Sequence, residues 1–221
     1  MSLGDLEREL PTHDAFAGLL VRMSPELGDD QEVDWRAVET KGFRFPGDYK
    51  HFMAHYGAGM IEDTLAVLGP PVADDVEYGS MLSETRNACA LWPPEAPGTA
   101  GDWPVERQLT ERPPLIAWAV TTAGDLVCWL SEEDDPDQWP VAVWGRQEGP
   151  EHWTIVPHGM SGFLLGLFHA ELDKDPLSDS GLWDKPSPRF ISEKAEDRMR
   201  AEGIDPWTGE PDPLAGISFD D

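Results

Sequence analysis

Apolar residues at helical spacing begin the readable part of the chain. Phe16, Leu19, Leu20 and Met23 share one face of a helix that Thr12 is suited to cap. After a loop at Gly28-Asp29-Asp30, Trp35 and Val38 lie three apart on a short second helix, and Gly42 suits the left-handed residue that ends it. Pro46 fits the first position of a third helix, with Asp48 in the first turn at the positive end of the dipole. Tyr49, Phe52, Met53 and Tyr56 follow at i, i+3, i+4 and i+7 as one aromatic stripe. Gly57 stops this helix, and Gly59 lets the chain turn into a strand at Met60-Ile61.

The pattern then shortens. Residues 65–68 predict a buried strand closed by Gly69-Pro70-Pro71. Residues 74–92 predict a helix with Met81, Thr85, Ala88 and Trp92 on one face, stopped by Pro93-Pro94. The proline-rich stretch 93–114 predicts an extended surface loop. Four strands follow at 115–118, 126–130, 141–144 and 153–156, the first two joined by a turn at Thr122-Ala-Gly-Asp125. Such spacing without intervening helices predicts antiparallel pairing. Ser161 is suited to cap a last helix carrying Phe163, Leu164, Leu167, Phe168 and Leu172. The predicted class is α+β, a mainly antiparallel sheet with helices packed on one side.

Past residue 172 no apolar period is sustained. Residues 1–172 therefore predict one domain, and 173–221 an acidic Pro/Asp-rich tail, loosely packed on the body or partly disordered. Within it Ile191 to Ala201 offers a short helix, and Trp183, Phe190, Ile204 and Trp207 are isolated anchors.

Charge narrows the function. With 43 Asp+Glu against 16 Lys+Arg the formal net charge is −27, which repels nucleic acid and anionic lipid and speeds encounter with a basic protein. No run approaches the roughly 18–20 apolar residues of a membrane span, and the acidic start lacks the features of a signal peptide. A soluble cytoplasmic protein is expected. Cys89 and Cys128, both in apolar surroundings, are expected to be buried thiols rather than a disulfide or metal site.

The sequence carries no recognisable catalytic constellation. His51 and His55 have metal-compatible i, i+4 spacing, but His-Phe-Met-Ala-His lacks the glutamate of a zinc protease, and a solvent-facing pair is expected. No nucleophile elbow, phosphate loop or dinucleotide fingerprint is present, so neither enzyme activity nor a cofactor is expected. The acidic run at 131–138 lacks the Asp-x-Asp-x-Asp-Gly spacing of a calcium loop. A simply solvated loop remains open; the preferred reading is a negative lip for a basic protein, made of Glu132, Glu133, Asp134, Asp135 and Asp137. Asp29, Asp30, Glu32 and Asp34 form a comparable cluster, as do Asp74, Asp75 and Glu77.

Taken together, Trp35…Glu39…Gly42-Phe43-x-Phe45-Pro46-x-Asp48-Tyr49…Phe52…Tyr56-Gly57-x-Gly59-x-Ile61 resembles the N-terminal signature of the SUKH superfamily, the cell-wall-regulator-like group that includes bacterial immunity proteins. Gly124-Asp-Leu-Val-Cys-Trp129, Asp134-Asp-Pro-Asp-Gln-Trp-Pro-Val141 and the Ser161-Gly-Phe163 helix are similar to the family's later hairpin and closing helix. Phe45 stands where the family most often has Leu or Ile. The resemblance spans residues 12–172 and implies a non-catalytic α+β binding module. It implies an immunity protein that silences a bacterial toxin, often a nuclease or deaminase with a basic cleft, or else a regulatory interaction module outside toxin systems. Trp35, Gly42, Pro46, Asp48, Tyr49, Tyr56, Gly57, Gly59 and Trp129 are expected to specify the fold rather than touch a partner.

Overall fold

The protein is described from a computed structural model, over residues 12–29, 32–39, 43–71, 79–92, 115–148 and 153–212. Gly42, Asp30, Asp74, Asp75, Glu77 and the proline-rich 93–114 stretch lie outside the described residues.

Three helices precede the sheet: α1 (Thr12–Arg22), α2 (Trp35–Glu39) and α3 (Gly47–His55). Strands β1 (Gly59–Ile61) and β2 (Leu65–Val67) form a hairpin, followed by α4 (Met81–Leu91). The meander is β3 (Leu115–Thr121), β4 (Leu126–Leu130), β5 (Val141–Trp144) and β6 (Trp153–Val156). Helix α5 (Met160–Phe168), strand β7 (Phe190–Ser192) and α6 (Glu193–Ala201) close the chain. Among the described residues the strands form one seven-stranded antiparallel sheet in the order β6-β5-β4-β3-β2-β1-β7. The fold is α+β, as the spacing of the strands predicts.

The sheet is covered on both faces, not one. Side chains alternate across a strand, so β4 sends Val127 and Trp129 into a core shared with α1, α3 and α5. Leu126, Cys128 and Leu130 point the other way, into a smaller cluster with Ala88, Cys89 and Trp92. The unbroken apolar run Leu-Val-Cys-Trp-Leu is what two-sided burial requires. A bulge in β3, where the register shifts between Ala117 and Ala119, leaves Ala117 to donate its amide to Thr85 Oγ1 of α4 at 3.1 Å. Helix α4 starts at Met81, capped by the Ser80 hydroxyl; the first residues of the helix expected over 74–92 lie outside the described residues.

The larger core is aromatic. Trp129 stacks near Trp118 at 5.9 Å and meets Tyr49 edge-on at 5.0 Å. Their geometries are those that ring quadrupoles favour. Each buried phenol finds a carbonyl: Tyr49 donates to Leu68 O at 2.7 Å and Tyr56 to Met23 O at 2.5 Å. Cys89 and Cys128 are buried free thiols.

The described part of the segment after residue 172, residues 173–212, packs on the body, whereas the sequence leads to the expectation of a loose tail; residues 213–221 lie outside the described residues. Strand β7 pairs with β1, and Phe190 packs edge-on against Phe52 and Tyr56 at 5.5 and 5.2 Å. Leu177, Leu182 and Ile191 are buried as well. At Gly59 a Cβ would stand 2.3 Å from the Ile191 carbonyl, so the β1–β7 approach itself excludes a side chain there. The buried carboxylate of Asp125 fastens the same segment. It accepts from Ser178 N at 2.9 Å, Ser178 Oγ at 2.5 Å, Arg146 N at 2.8 Å and Thr121 Oγ1 at 3.0 Å. Lys185 pairs with Glu62 at 3.0 Å and Lys194 with Asp29 at 2.5 Å. A three-residue edge strand joins mainly through its backbone, which explains why no apolar period announces it.

Candidate protein-binding surface

The acidic loop between β4 and β5 is exposed and firmly held. Glu132, Glu133, Asp134, Asp135 and Asp137 are all exposed, while Trp139 behind them is 1% exposed. Asp135 caps a single 3-10 turn at Pro136–Gln138 by accepting the Asp137 amide at 3.1 Å. The Trp139 indole donates to Glu133 O at 2.6 Å, and Leu130 N donates to Pro140 O at 3.0 Å. From 90 residues away, Arg44 donates to the Asp134 carbonyl, and Gly47 N donates to Asp137 Oδ1 at 2.6 Å. Asp137 thus places a carboxylate at the positive end of α3. Of the five lip residues, Asp137 ties the loop down, and the others crowd the surface around it.

Only part of the second cluster remains unspent. Asp29 pairs with Lys194, and Asp34 Oδ1 accepts Ala37 N at 3.1 Å at the start of α2. Glu32 is exposed. The third cluster, Asp74, Asp75 and Glu77, lies outside the described residues.

An open groove of about 300 Å³ separates α2 from the lip, lined by Glu39, Arg44, Phe45, Gly47, Lys50 and residues 135–137. Lys50 Nζ sits 2.5 Å from Glu39 Oε1 and 5.5 Å from the centroid of the Trp35 ring. Sequence reasoning had no local signal for Arg44 and Lys50 as neighbours of the lip. Both are solitary cations in an apolar-punctuated segment, and their partners arrive from α2 and from the β4–β5 loop.

The described signature residues sit as follows, Gly42 lying outside the described residues. Tyr49, Tyr56 and Trp129 are fully buried, Trp35 is half-buried beside Phe45 and Tyr49, Pro46 is the residue before α3, and Gly57 adopts φ +73°. Asp48, 2% exposed, uses Oδ2 to accept Ser161 N at 2.9 Å. It therefore caps α5, a role the sequence suggests for Ser161, which lies inside the helix instead. Burial pushes the Asp48 carboxyl above its ordinary value, the Ser161 amide opposes the rise, and the nearby charge of Asp137 adds to it.

Burial pushes the Cys89 thiol up to about 11 and raises Cys128 as well, the opposite of an activated nucleophile. His51 and His55 are exposed and rest against the Phe16 ring at 5.6 and 5.3 Å. Among the described residues no group of three His, Cys, Asp or Glu could hold a metal ion, and no helix is long and apolar enough to cross a membrane.

Neither a curated protein nor a solved structure matches the chain. The SUKH_6 family model, described as SMI1-KNR4 cell-wall, matches residues 32–164, from just before α2 through the first half of α5. That span holds the whole signature, the meander and the acidic lip, and it covers more than half of the sequence. The chain belongs to the SUKH_6, SMI1-KNR4 cell-wall family, whose members are commonly immunity or regulatory proteins that act by binding other proteins.

Proposed function

We propose that this chain is a non-catalytic immunity protein that occupies and silences a basic bacterial toxin domain of nuclease or deaminase type. The observation that carries the reading is the lip: five exposed carboxylates on a loop pinned through the Glu133 and Asp134 carbonyls and the Asp137 side chain. A pinned loop loses little conformational entropy on binding, so its charge acts without an ordering cost. The −27 charge of the whole chain supports a basic partner, because complementary fields raise the association rate. Glu132, Glu133, Asp134 and Asp135 are the proposed contacts, Asp137 contacts and positions, and Asp74, Asp75 and Glu77 join on charge alone.

The test is co-expression with toxin domains encoded beside the gene, scored by growth rescue and by complex formation. Rescue with an affinity that falls steeply between 50 and 500 mM salt is expected. Absence of rescue and of any complex with every neighbouring candidate refutes the proposal. Capture of a cellular regulator in their place would assign the chain to the regulatory branch of the family.

A further inference from the structure

We propose that the outer edge of β6 takes an extended strand of the partner, basic at its N-terminal end, as an added strand of the sheet; this rests on the partner being a basic protein. The two ends of the sheet differ. At one end β7 pairs with every residue of β1, and Gly59 leaves room for that approach. At the other end β6 pairs with β5 over Trp153–Val156 in an unbroken register and, among the described residues, with no strand on its outer side. A strand paired on one side leaves the N–H and C=O groups of alternate residues pointing outward, a template for another chain. Edges kept single by their sequence carry lysine, proline, a bulge or an inward charge. Trp-Thr-Ile-Val has none of these; Pro157 follows it and limits the pairing to these four residues. Ile155 is 45% exposed, one of two large apolar side chains so exposed among the described residues.

Charge selects the occupant. Val156 pairs with Val141, the first residue of β5 after the lip, so the lip rises one strand away from the Val156 end of the edge. Two copies of a chain with a net charge of −27 repel each other, whereas a basic strand is drawn to the same end. Every pairing in the sheet is antiparallel, and a strand added in that sense places its first residue opposite Val156, toward the lip. Lysine or arginine belongs at that start. Residues opposite each other share a face, so an apolar residue opposite Ile155 covers its side chain on the face that Trp153 also occupies. The edge therefore fits a strand with basic residues first and alternating apolar residues after them.

The edge is tested without any toxin, by 15N–1H titration of the full chain with a blocked synthetic peptide in which a pair of lysines precedes alternating valine and threonine. Saturable shifts at the Trp153, Thr154 and Ile155 amides and at the Trp153 indole are expected, half-complete on the order of 1 mM. The same peptide with methylated backbone nitrogens cannot donate to the edge and should leave β6 unmoved. With glutamates in place of the lysines it should bind at least about fivefold more weakly. Ile155→Asn leaves the charge unchanged and should melt near the wild-type temperature, yet bind the lysine peptide at least about threefold more weakly. Equal responses to the methylated peptide, equal binding of the glutamate peptide, shifts confined to residues 132–137, or an Ile155→Asn variant that binds as wild type does would overturn the proposal. Shifts at β6 that grow with protein concentration in the absence of peptide would assign the edge to a second copy and overturn it too. Peptide binding in a chain that rescues no toxin sinks the immunity reading and leaves the edge standing. Toxin rescue with no peptide response does the reverse.

Discussion

Replacing Asp125 by asparagine alters one atom at the point where the C-terminal segment is fastened to the sheet. The wild-type carboxylate is fully buried and accepts four hydrogen bonds. Oδ1 receives Arg146 N and Ser178 Oγ, and Oδ2 receives Ser178 N and Thr121 Oγ1. The two hydroxyls can rotate to suit an amide, but the two backbone N–H groups cannot. Whichever way the asparagine is turned, its NH2 must face either Arg146 N or Ser178 N, donor against donor. An orphaned buried donor costs about 1–3 kcal/mol, and the remaining bonds lose the strengthening a charged acceptor supplies. Relief from burying a carboxylate offsets part of this. The expected loss is about 2–3 kcal/mol for Asp125→Asn and about 3–5 kcal/mol for Asp125→Ala, which removes every acceptor. Urea unfolding monitored by tryptophan fluorescence measures both. Hydrogen exchange should show the largest local effect around residues 177–192, because Ser178 is the first fastened point of that segment. An asparagine variant within about 0.5 kcal/mol of wild type, with unchanged exchange there, would refute the assigned hydrogen-bond geometry.

Reversing Glu133, Asp134 and Asp135 to lysine should weaken binding to the partner at a stability cost of only about 0.5–2 kcal/mol, the worth of the lost Asp135 cap, since the Asp134 and Glu133 contacts that hold the loop use their carbonyls; isothermal titration showing undiminished binding would remove the lip from the interface. Tyr56→Ala or Trp129→Ala should each cost about 3–5 kcal/mol by chemical denaturation, because both rings are fully buried. Asp48 binds its proton more tightly folded than unfolded, so its contribution is fully present below the ordinary carboxyl value of 3.8 and is lost as pH rises through the raised folded value. Wild type should therefore lose stability relative to Asp48→Asn as pH rises through that window, and parallel stability–pH curves for the two would contradict it. Gly59→Ala should destabilise measurably, and most at the β1–β7 pairing, because its Cβ would press on the Ile191 carbonyl; unchanged exchange at Met60 and Ile191 would count against this.

Several features were legible because they are written locally. The punctuation of residues 43–61 reads almost correctly as helix, stop and strand entry, with Pro46 one place outside the helix rather than at its first position. The meander strands at 126–130, 141–144 and 153–156 fall where short apolar runs and their spacing put them. Exposure of the 132–137 carboxylates follows from charge density alone. Other features carry no local mark. Helix α5 is capped by a side chain 113 positions away, and the lip is pinned by residues 90 positions away. A single polar residue acting at long range has no period, so spacing cannot reveal it.

What the sequence determined by itself is the set of elements whose information repeats within a few residues: the aromatic stripe of α3, the antiparallel class of the sheet, the surplus of negative charge and the family signature. Periodicity works there because each element is stabilised by burying a recurring face. Tertiary structure alone decided that α4 covers the second face of the sheet and that β7 completes its edge. It also decided that Asp48, Asp125 and Asp137 serve as caps and clasps, and that Lys50 meets Glu39 beside the Trp35 ring. Each of those depends on a backbone amide or ring brought within about 3–6 Å by the folding of distant segments, a coincidence that no stretch of sequence encodes on its own.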